Sequence, residues 1–437
     1  MTRRVVLSAL MAAFVATEVA AQSWVNLTPG AGPAPSARRN ASAIFDPVEN
    51  RMVIFGGTTA GAASVLNDVW GFDLDTNSWI NLTPAAGPPV PAPRLFPASI
   101  YDSFGHQMIT WSGQASGVFF NDVWSFDLAG NTWSQFAPTG GPPNVRYGVG
   151  YTFDPVARDL VTFAGFTNLG RFHDVWRFND QAETWTNVSP ATGPGERCLH
   201  AACYDAVGHR MIMYAGQNNA GPLSDLWALD LDTDSWTELT PAIKPSGRFF
   251  ASMVYDSADR RATVFGGQTT LAPVNEVWVF DLWTNRWTQL APTGTPPTAR
   301  FGAAGIYDAA NDRMIVFGGN DGVVKNDVWA IQNLSNTVTG ARPTSHGLAL
   351  HPNHPNPFNP STTIRFEMAS RGHASLRIYD VRGALVRTLF DEPRDAGPGV
   401  ATWDGRNDAG STVASGVYLY RLAANGEFRT RKMVLLK

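Results

Sequence analysis

The sequence has little charge and very little cysteine. Charged residues make up 16% of the 437 positions, and the formal net charge is −4. Nucleic acids and anionic membranes bind clustered positive charge, so we expect neither as a partner. In one extended strand, Cys198 and Cys203 would have Cα atoms about 16 Å apart, which is too far for a disulfide. No histidines and cysteines have the spacing of a zinc site, and we expect no metal and no cofactor.

Long apolar runs are also absent, except at the N-terminus. Arg3 and Arg4 precede an apolar segment from Val5 to Val15, and Val19-Ala20-Ala21 forms a small-residue cleavage site. This pattern predicts a signal peptide over residues 1–21, with an apolar segment too short for a permanent membrane anchor. A secretory signal is favoured over a twin-arginine signal. We therefore expect a secreted or cell-surface protein without a stable transmembrane anchor.

No long segment has the apolar periodicity of a helix, whereas glycine (41 residues), proline (30) and tryptophan (15) are abundant. One motif, NDVWGFDLDTNSW at 67–79, returns with copies that begin at 121, 173, 224 and 275. A truncated copy begins at 326, and the first tryptophans of successive copies lie 51 to 54 residues apart. A period of this size indicates stacked or radial repeats of one structural unit.

Each repeat predicts an antiparallel sheet of four short strands. In the last copy, FGAAGIYD, a polar turn, RMIVFGG, a loop and NDVWAI follow one another, and earlier copies add a strand such as WINLTP. This order is typical of a meander and not of strands that alternate with helices. The glycines that end the second strand allow a sharp turn, and the tryptophans are expected to fill the wedge between neighbouring sheets.

These markers resemble the kelch repeat family, whose units carry a glycine pair followed by two spaced aromatic residues. The resemblance covers about 24–335, although Ser112, Ala164 and Ala215 replace the first glycine in three units. It implies an all-β propeller whose four-stranded sheets are arranged around a channel, and the six units predict that this propeller has six blades over residues 22–335.

The sixth unit lacks its fourth strand. Residues 24–29, WVNLTP, nearly duplicate residues 79–84, WINLTP, which form the predicted fourth strand of the first unit. We infer that the first mature residues supply the missing strand and close the ring, which also protects an open sheet edge.

Antiparallel order places the starts of the first and third strands on one face of the predicted ring. One arginine per unit precedes the first strand, and one acidic residue opens the third strand, namely Asp68, Asp122, Asp174, Asp225, Glu276 and Asp327. One interpretation is a structural salt bridge repeated six times. The other is a polar funnel that binds an anionic sugar or an extended peptide through arginine forks.

Residues that break the repeat are better candidates for a binding site, and they include the longer loop Thr58–Leu66. His200 replaces alanine, proline or valine in its inner strand, and a packed histidine is the alternative for it. The candidate binding residues on this face are Arg38, Arg94, Arg146, Arg197, Arg248, Arg300, Gln114, Phe166, Arg171, His173, His200, Gln217, Gln268 and Asn320.

The C-terminal part has a different composition. After a linker at 336–350, the stretch HPNHPNPFNPSTT precedes several short runs with alternating apolar residues, which predicts a small β-sandwich over 351–437. PNPFNPSTTIRF, IYDVRGALVRTL, SGVYLYRL and KMVLLK resemble the sorting domains of the type IX secretion system. TWDGRNDAGSTVASGVYLYRL is similar to the immunoglobulin-like domain of flagellar hook-capping (FlgD-type) proteins. The first resemblance implies secretion machinery as a partner, and a plain accessory domain is the further alternative.

The function favoured by these patterns is non-catalytic binding of a glycan or protein ligand at the propeller face, by a monomer. Kelch propellers also occur in galactose oxidase and in a sialic acid epimerase. A copper oxidase would need a Tyr–Cys crosslink and a histidine pair, whose spacing is missing here. No nucleophile–base pair or phosphate-binding loop is recognisable, so we predict no catalytic residue. An acidic-sugar epimerase and a purely structural surface protein remain as alternatives.

Overall fold

The computed structural model describes residues 21–59, 64–85, 89–336, 348–368, 371–395, 397–424 and 427–436. Residues 1–20 of the predicted signal peptide, 60–63 of the loop Thr58–Leu66 and 337–347 of the predicted linker lie outside these ranges. The described chain is all-β, as predicted, and its helical segment is the 3₁₀ turn Leu334–Asn336. Both cysteines are buried free thiols.

Six four-stranded antiparallel sheets are formed by the described residues between 23 and 332. We call them blades 1 to 6, in the order of their first strands. The first strands are Ser42–Asp46, Ala98–Asp102, Gly150–Asp154, Ala201–Asp205, Ser252–Asp256 and Ala304–Asp308. The second strands are Arg51–Phe55, Gln107–Trp111, Asp159–Thr167, Arg210–Tyr214, Arg261–Phe265 and Arg313–Phe317.

The third strands are Val69–Asp73, Val123–Asp127, Gly170–Asn179, Leu226–Asp230, Val277–Asp281 and Val328–Gln332. The fourth strands are Ser78–Asn81, Thr132–Gln135, Thr184–Asn187, Ser235–Leu239, Arg286–Leu290 and, in blade 6, Ser23–Asn26. Two small hairpins pair Gln114–Ala115 with Val118–Phe119 and Gln217–Asn218 with Gly221–Pro222.

The blades form a ring around a central channel. The first strand of each blade contacts the first strands of the two neighbouring blades, and those of blades 1 and 6 also contact each other. Ser23–Asn26 pairs antiparallel with the third strand of blade 6, with Ser23 opposite Gln332 and Asn26 opposite Trp329. The N-terminal strand thus belongs to the same sheet as the last repeat.

Aromatic side chains fill the wedges between blades. The tryptophan of each fourth strand packs against an aromatic residue of the preceding blade's second strand, two positions before the glycine of the turn, with ring centroids 4.9–5.2 Å apart. The pairs are Trp79–Phe317, Trp133–Phe55, Trp185–Trp111, Trp236–Phe163, Trp287–Tyr214 and Trp24–Phe265. Trp24 from the N-terminal strand therefore fills the seam between blades 5 and 6.

The C-terminal domain consists of two packed sheets. One contains Ala349–Leu350, Thr362–Met368 and Gly397–Trp403, and the other contains Gly372–Asp380, Leu385–Arg394, Gly416–Ala424 and Glu427–Leu435. Trp403, Tyr420 and Leu422 are fully buried between them. Leu348 and Leu350 also lie in this core, so the domain begins inside the segment predicted as linker.

The ring has two faces. We call the face where the first and third strands begin the upper face, and the opposite face, which carries the tight turns between strands, the lower face. No helix among the described residues is long and apolar enough to cross a membrane.

Candidate functional site

The six predicted arginines lie under the upper face and not on it. Their side chains are 0–3% exposed. Each Nε donates to the carbonyl oxygen two residues earlier, and each Nη1 donates to a carbonyl oxygen at the end of the second strand, as Arg94 does to Ala92 and Ser112. The remaining donors bind the acidic residue that opens the third strand of the same blade.

These pairs are forked in five blades. Arg94, for example, places Nη1 2.7 Å from Oδ1 and Nη2 2.8 Å from Oδ2 of Asp122. In blade 5, Arg248 Nη2 contacts one oxygen of Glu276 at 2.6 Å. Because the guanidinium groups are buried and paired, they hold the loops of the upper face together and do not present forks to a ligand. Of the two interpretations of these residues, the molecule therefore has the structural salt bridge repeated six times.

The same acidic residues bind the first tryptophan of each repeat. The indole N–H of Trp124 donates to Asp122 at 2.7 Å, and the equivalent bond is present in all six blades. Burial alone would raise the pKa of Asp122, but the hydrogen bonds from Arg94 and Trp124 lower it below its ordinary value. The pKa values of Asp174 and Asp225 are lowered for the same reasons. The acidic residue and the tryptophan of the repeated motif thus have a structural role. We call the buried arginine, the acidic residue and the tryptophan of one blade its structural lock.

A row of aromatic side chains crosses the upper mouth of the channel. We call Phe119, Tyr147, Phe96, Phe250 and Phe301 the aromatic row. Successive ring centroids are 5.8, 5.4, 5.1 and 5.5 Å apart, and all five side chains are half-buried. Since blades 2 and 5 lie opposite each other in the ring, the stacked pair of Phe96 and Phe250 spans the channel. The row therefore offers a partly exposed apolar surface at the centre of this face.

An unusual backbone conformation positions the row. The second residue after each buried arginine has a left-handed φ, and these residues are Asn40 (60°), Phe96 (56°), Gly148 (66°), Leu199 (61°), Phe250 (59°) and Gly302 (67°). Glycine takes this conformation without strain, whereas a bulky residue pays of order 1–2 kcal/mol. Phe96 and Phe250 thus adopt a strained conformation where the channel opens, which is typical of functional sites.

The residues after the glycine pairs support this row from the side. The pairs Arg39–Thr58, Leu95–Gln114, Tyr147–Phe166, Cys198–Gln217, Phe249–Gln268 and Phe301–Asn320 form six equivalent antiparallel bridges. Gln114, Gln217, Gln268 and Asn320 are half-buried, and each pairs through its backbone with the residue that follows a buried arginine. These four candidates are brought together around the channel mouth.

Blade 3 breaks the repeat with a longer hairpin. Its second and third strands continue to Thr167 and from Gly170, and a bulge lies between Phe163 and Gly165. Phe166 packs edge-on against Tyr147 at 5.7 Å, and the Arg171 guanidinium lies 5.2 Å from the Phe166 ring. Arg171 also donates to Asn219 of blade 4. These two candidates extend the aromatic row outward.

The two candidate histidines lie elsewhere. His173 is exposed and lines a separate outer recess with Glu196 and Trp236. His200 is buried in the channel below the aromatic row, edge-on to Phe163 at 5.4 Å, and neither ring nitrogen has a hydrogen-bond partner among the described residues. Burial, followed by the charge of Arg197, lowers the pKa of His200 to about 3, so the ring is neutral. This matches the packed histidine proposed as the alternative.

The lower mouth of the channel is wider and also aromatic. A recess of about 660 Å³ is lined by the penultimate residues of the six first strands, Phe45, Tyr101, Phe153, Tyr204, Tyr255 and Tyr307. The hydroxyls of Tyr255 and Tyr307 donate to Asp205 and Asp312 at 2.6 and 3.0 Å. Among the described residues, no three histidines, cysteines or carboxylates are arranged to hold a metal ion.

Sequence reasoning missed most of the aromatic row. Four of its members follow a candidate arginine by one or two residues, namely Phe96, Tyr147, Phe250 and Phe301. An aromatic residue at a position where two other repeats have glycine, as in Phe96 and Phe250 against Gly148 and Gly302, would have indicated it.

Comparison with known proteins agrees with this geometry. Residues 9–194 and 190–349 match the family described as the KLHDC2/KLHL20/DRC7 Kelch-repeats domain, and residues 357–427 match the FlgD Ig-like domain. A flagellar outer arm dynein alpha chain of Chlamydomonas reinhardtii is 25% identical over 66% of this chain and 7% of its own length. The leucine-zipper-like transcriptional regulator 1 homolog of Drosophila melanogaster is 26% identical over 51% and 24%.

The host cell factor homolog hcf-1 of Caenorhabditis elegans is 24% identical over 71% of this chain and 44% of its own length. The chain thus spans less than half of each of these relatives. Because the repeat model covers most of the chain, and its markers coincide with the buried locks and wedges described above, this protein belongs to the Kelch-repeat family and carries a FlgD Ig-like domain at its C-terminal end.

Proposed function

We propose that this chain is a non-catalytic binding protein that holds a protein partner on the upper face of its Kelch-repeat ring. The observation that carries the proposal is the aromatic row, five half-buried rings that cross the mouth of the channel. Aromatic residues are enriched at protein interfaces, and the few residues that supply most of the binding energy cluster near the centre of the contact.

The surroundings of the row fit a polar rim. Gln114, Gln217, Gln268 and Asn320 are half-buried beside the residues that follow the buried arginines, and the guanidinium groups of Arg39 and Arg171 lie over Phe301 and Phe166 at 5.4 and 5.2 Å. A hydrophobic centre with a hydrogen-bonding rim is the usual anatomy of a protein interface. The diversity of the relatives, from a dynein chain to a host cell factor homolog, supports a shared binding module more than a shared reaction.

We also propose that the protein is exported to the cell surface or secreted. The support is the signal-like pattern of residues 1–21 and the resemblance of residues 351–437 to type IX sorting domains, which would bring secretion machinery as a second partner. Detection of the full-length protein outside cells, and its retention inside when residues 1–21 are removed, tests this part.

The binding proposal is tested with glycine variants that the chain itself suggests. Phe96→Gly and Phe250→Gly place at blades 2 and 5 the residue that blades 3 and 6 already have at Gly148 and Gly302. The relief of about 1 kcal/mol of left-handed strain partly offsets the loss of each half-buried ring, so both variants should fold. We expect each to weaken binding to hits from a displayed-peptide library at least tenfold.

Phe104→Ala serves as the matched control, because Phe104 is an exposed aromatic residue on the lower face. A glycan array is screened in parallel. Hits that bind the glycine variants as well as the wild type would refute the upper face as the site, and glycan hits without peptide hits would replace a protein by a glycan as ligand.

A further inference from the structure

One strand of the C-terminal domain has two buried faces. In Thr362–Met368, Ile364, Phe366 and Met368 point into the core of the sandwich. Arg365 and Glu367 point the other way, out of the sandwich, yet they are only 4% and 7% exposed. Charged residues on the outer face of a sandwich are normally solvated, so another part of the molecule must cover these two.

The lower face of blades 4 and 5 covers them. Arg260 Nη1 donates to Oε1 of Glu367 at 2.9 Å, and Arg260 Nη2 donates to Asp205 at 3.2 Å. Arg365 Nη1 lies 3.8 Å from Oδ2 of Asp232. The contact therefore pairs opposite charges from the two domains at two points.

Histidines lie between these two points. His209 of blade 4 is held between Asp154 and Asp232, with 2.8 Å from each ring nitrogen to a carboxylate oxygen. The ring of His354, from the C-terminal domain, lies 5.5 Å from the ring of His209. His351 Nε2 lies 3.4 Å from Oε1 of Glu367.

On the propeller side, this contact uses an ion pair that is repeated between neighbouring blades on the lower face. In blades 2 to 5, the turn after the first strand carries a base that reaches the last residue of the preceding blade's first strand. These pairs are His106–Asp46, Arg158–Asp102, His209–Asp154 and Arg260–Asp205. At blades 4 and 5 the same bases also meet the C-terminal domain. The propeller groups are thus paired before docking, and docking adds Glu367, Arg365 and His354.

We propose that the lower face of blades 4 and 5 is a docking site for the C-terminal domain of the same chain, and that uptake of protons by this contact releases the domain. The domain would then alternate between a docked state and a tethered state, independently of a ligand on the upper face.

The direction of the pH effect follows from the groups that face His354, which are His209, Arg365, Asp232 and Asp154. Burial and the positive charges of His209 and Arg365 lower the pKa of His354, and they outweigh the carboxylates. In a released domain the pKa returns toward its ordinary value of about 6.5. Protonation therefore favours release, and docking is strongest above about pH 6.5 and weakens as the pH falls.

The other titratable groups act in the same direction or change little. Burial would raise the pKa of Glu367, but His351 and Arg260 lower it below 4.5, so protonation of Glu367 in stronger acid also favours release. His209 has a raised pKa because its bonds to Asp154 and Asp232 outweigh burial. Both of these carboxylates belong to the propeller and stay with His209 after release.

Fluorescence energy transfer between the domains of the full chain tests the proposal. Ala129→Cys on the lower face and Ser411→Cys in the C-terminal domain provide exposed labelling sites, because Cys198 and Cys203 are buried. We expect high transfer at pH 7.5. Between pH 7 and pH 5 the ratio of docked to released chains should fall by about tenfold for each pKa unit that separates the released from the docked His354.

Two variants separate docking from folding. Glu367→Lys, which changes an outward-facing side chain, should give low transfer at pH 7.5, whereas Glu392→Lys at an exposed site should behave as the wild type. His354→Phe keeps an aromatic ring against His209 without a titrating group, and it should remove most of the decline between pH 7 and pH 5. Near-ultraviolet circular dichroism monitors folding throughout.

Transfer that is independent of pH in the wild type, or unchanged in Glu367→Lys, would overturn the proposal. Transfer that arises only between singly labelled chains in a mixture would show that the docked domain comes from a second copy, and it would equally overturn docking within one chain.

Discussion

The arginine and acid of each repeat behave as one structural part. Each arginine satisfies two carbonyl oxygens and a carboxylate while its side chain is almost fully buried, as for Arg94 with Ala92, Ser112 and Asp122. A buried charge that loses its partner is costly, because its desolvation is no longer offset. The arginine is therefore repeated six times because each of the six blades has a loop that this side chain holds in place.

Asp122→Asn should lower the free energy of unfolding by about 3 kcal/mol, since it leaves Arg94 buried with a neutral partner. Glu238→Gln, at an exposed position of blade 4, is the matched control and should stay within about 0.5 kcal/mol of the wild type. Urea unfolding followed by tryptophan fluorescence measures both. Equal stability of the two variants would mean that the lock contributes nothing.

Acid should destabilise the ring in a defined range. Burial would raise the pKa of Asp154, but the hydrogen bond and charge of His209 lower it to about 2. A carboxylate with a depressed pKa stabilises the folded state above its unfolded value and loses this effect as the pH falls through the folded value. Asp154 alone should cost about 2 kcal/mol of stability between pH 4 and pH 2.

Denaturant unfolding at several pH values between 5 and 2 checks this slope. Asp154→Asn should be less stable than the wild type at pH 5, and its stability should decline less between pH 4 and pH 2. Parallel curves for the two proteins would exclude Asp154 as the source of the acid sensitivity.

The strands and their order follow from local sequence, and this explains why they could be predicted. Alternating apolar residues, glycine pairs and polar turns each act over a few residues, so four strands could be predicted in each of the first five repeats and three in the sixth. The incomplete copy at 326 and the duplicate at Trp24 located the fourth strand of blade 6, where Ser23 lies opposite Gln332. The aromatic row escaped prediction because it depends on contacts between opposite blades and on the sign of φ at Phe96 and Phe250, which periodicity does not encode.

Trp24→Ala tests the N-terminal strand. Trp24 is buried against Phe265 as Trp79 is against Phe317, so both alanine variants should lose about 3–5 kcal/mol. Ile80→Ala, at a half-exposed position of a fourth strand, should change stability by less than about 1 kcal/mol. Thermal unfolding of the three variants measures the difference, and a mild effect at Trp24 alone would show that the seam tolerates its loss.

At the scale of the whole molecule, the described residues cover part of the lower face of the ring and leave the upper face open. The upper face carries the aromatic row and remains uncovered by described residues, while blades 4 and 5 of the lower face contact Glu367, Arg365 and His354 of the C-terminal domain. The sequence predicted two domains, but their contact could not be foreseen, because it joins side chains far apart in the chain that look like ordinary solvated charges. Arg260 and Glu367 are separated by 107 residues.

The pairing of Ser23–Asn26 with Val328–Gln332 has a consequence for the order of folding. Blades 1 to 5 are built from contacts within about fifty residues, whereas Thr28 and Val328, which bond across the seam, are 300 positions apart. A contact between residues so far apart in sequence forms late, because the chain loses the entropy of loop closure before the contact stabilises it. The emerging chain must therefore keep its first strand unpaired until blade 6 has been synthesised, and the ring should open at this same seam before any other when it unfolds.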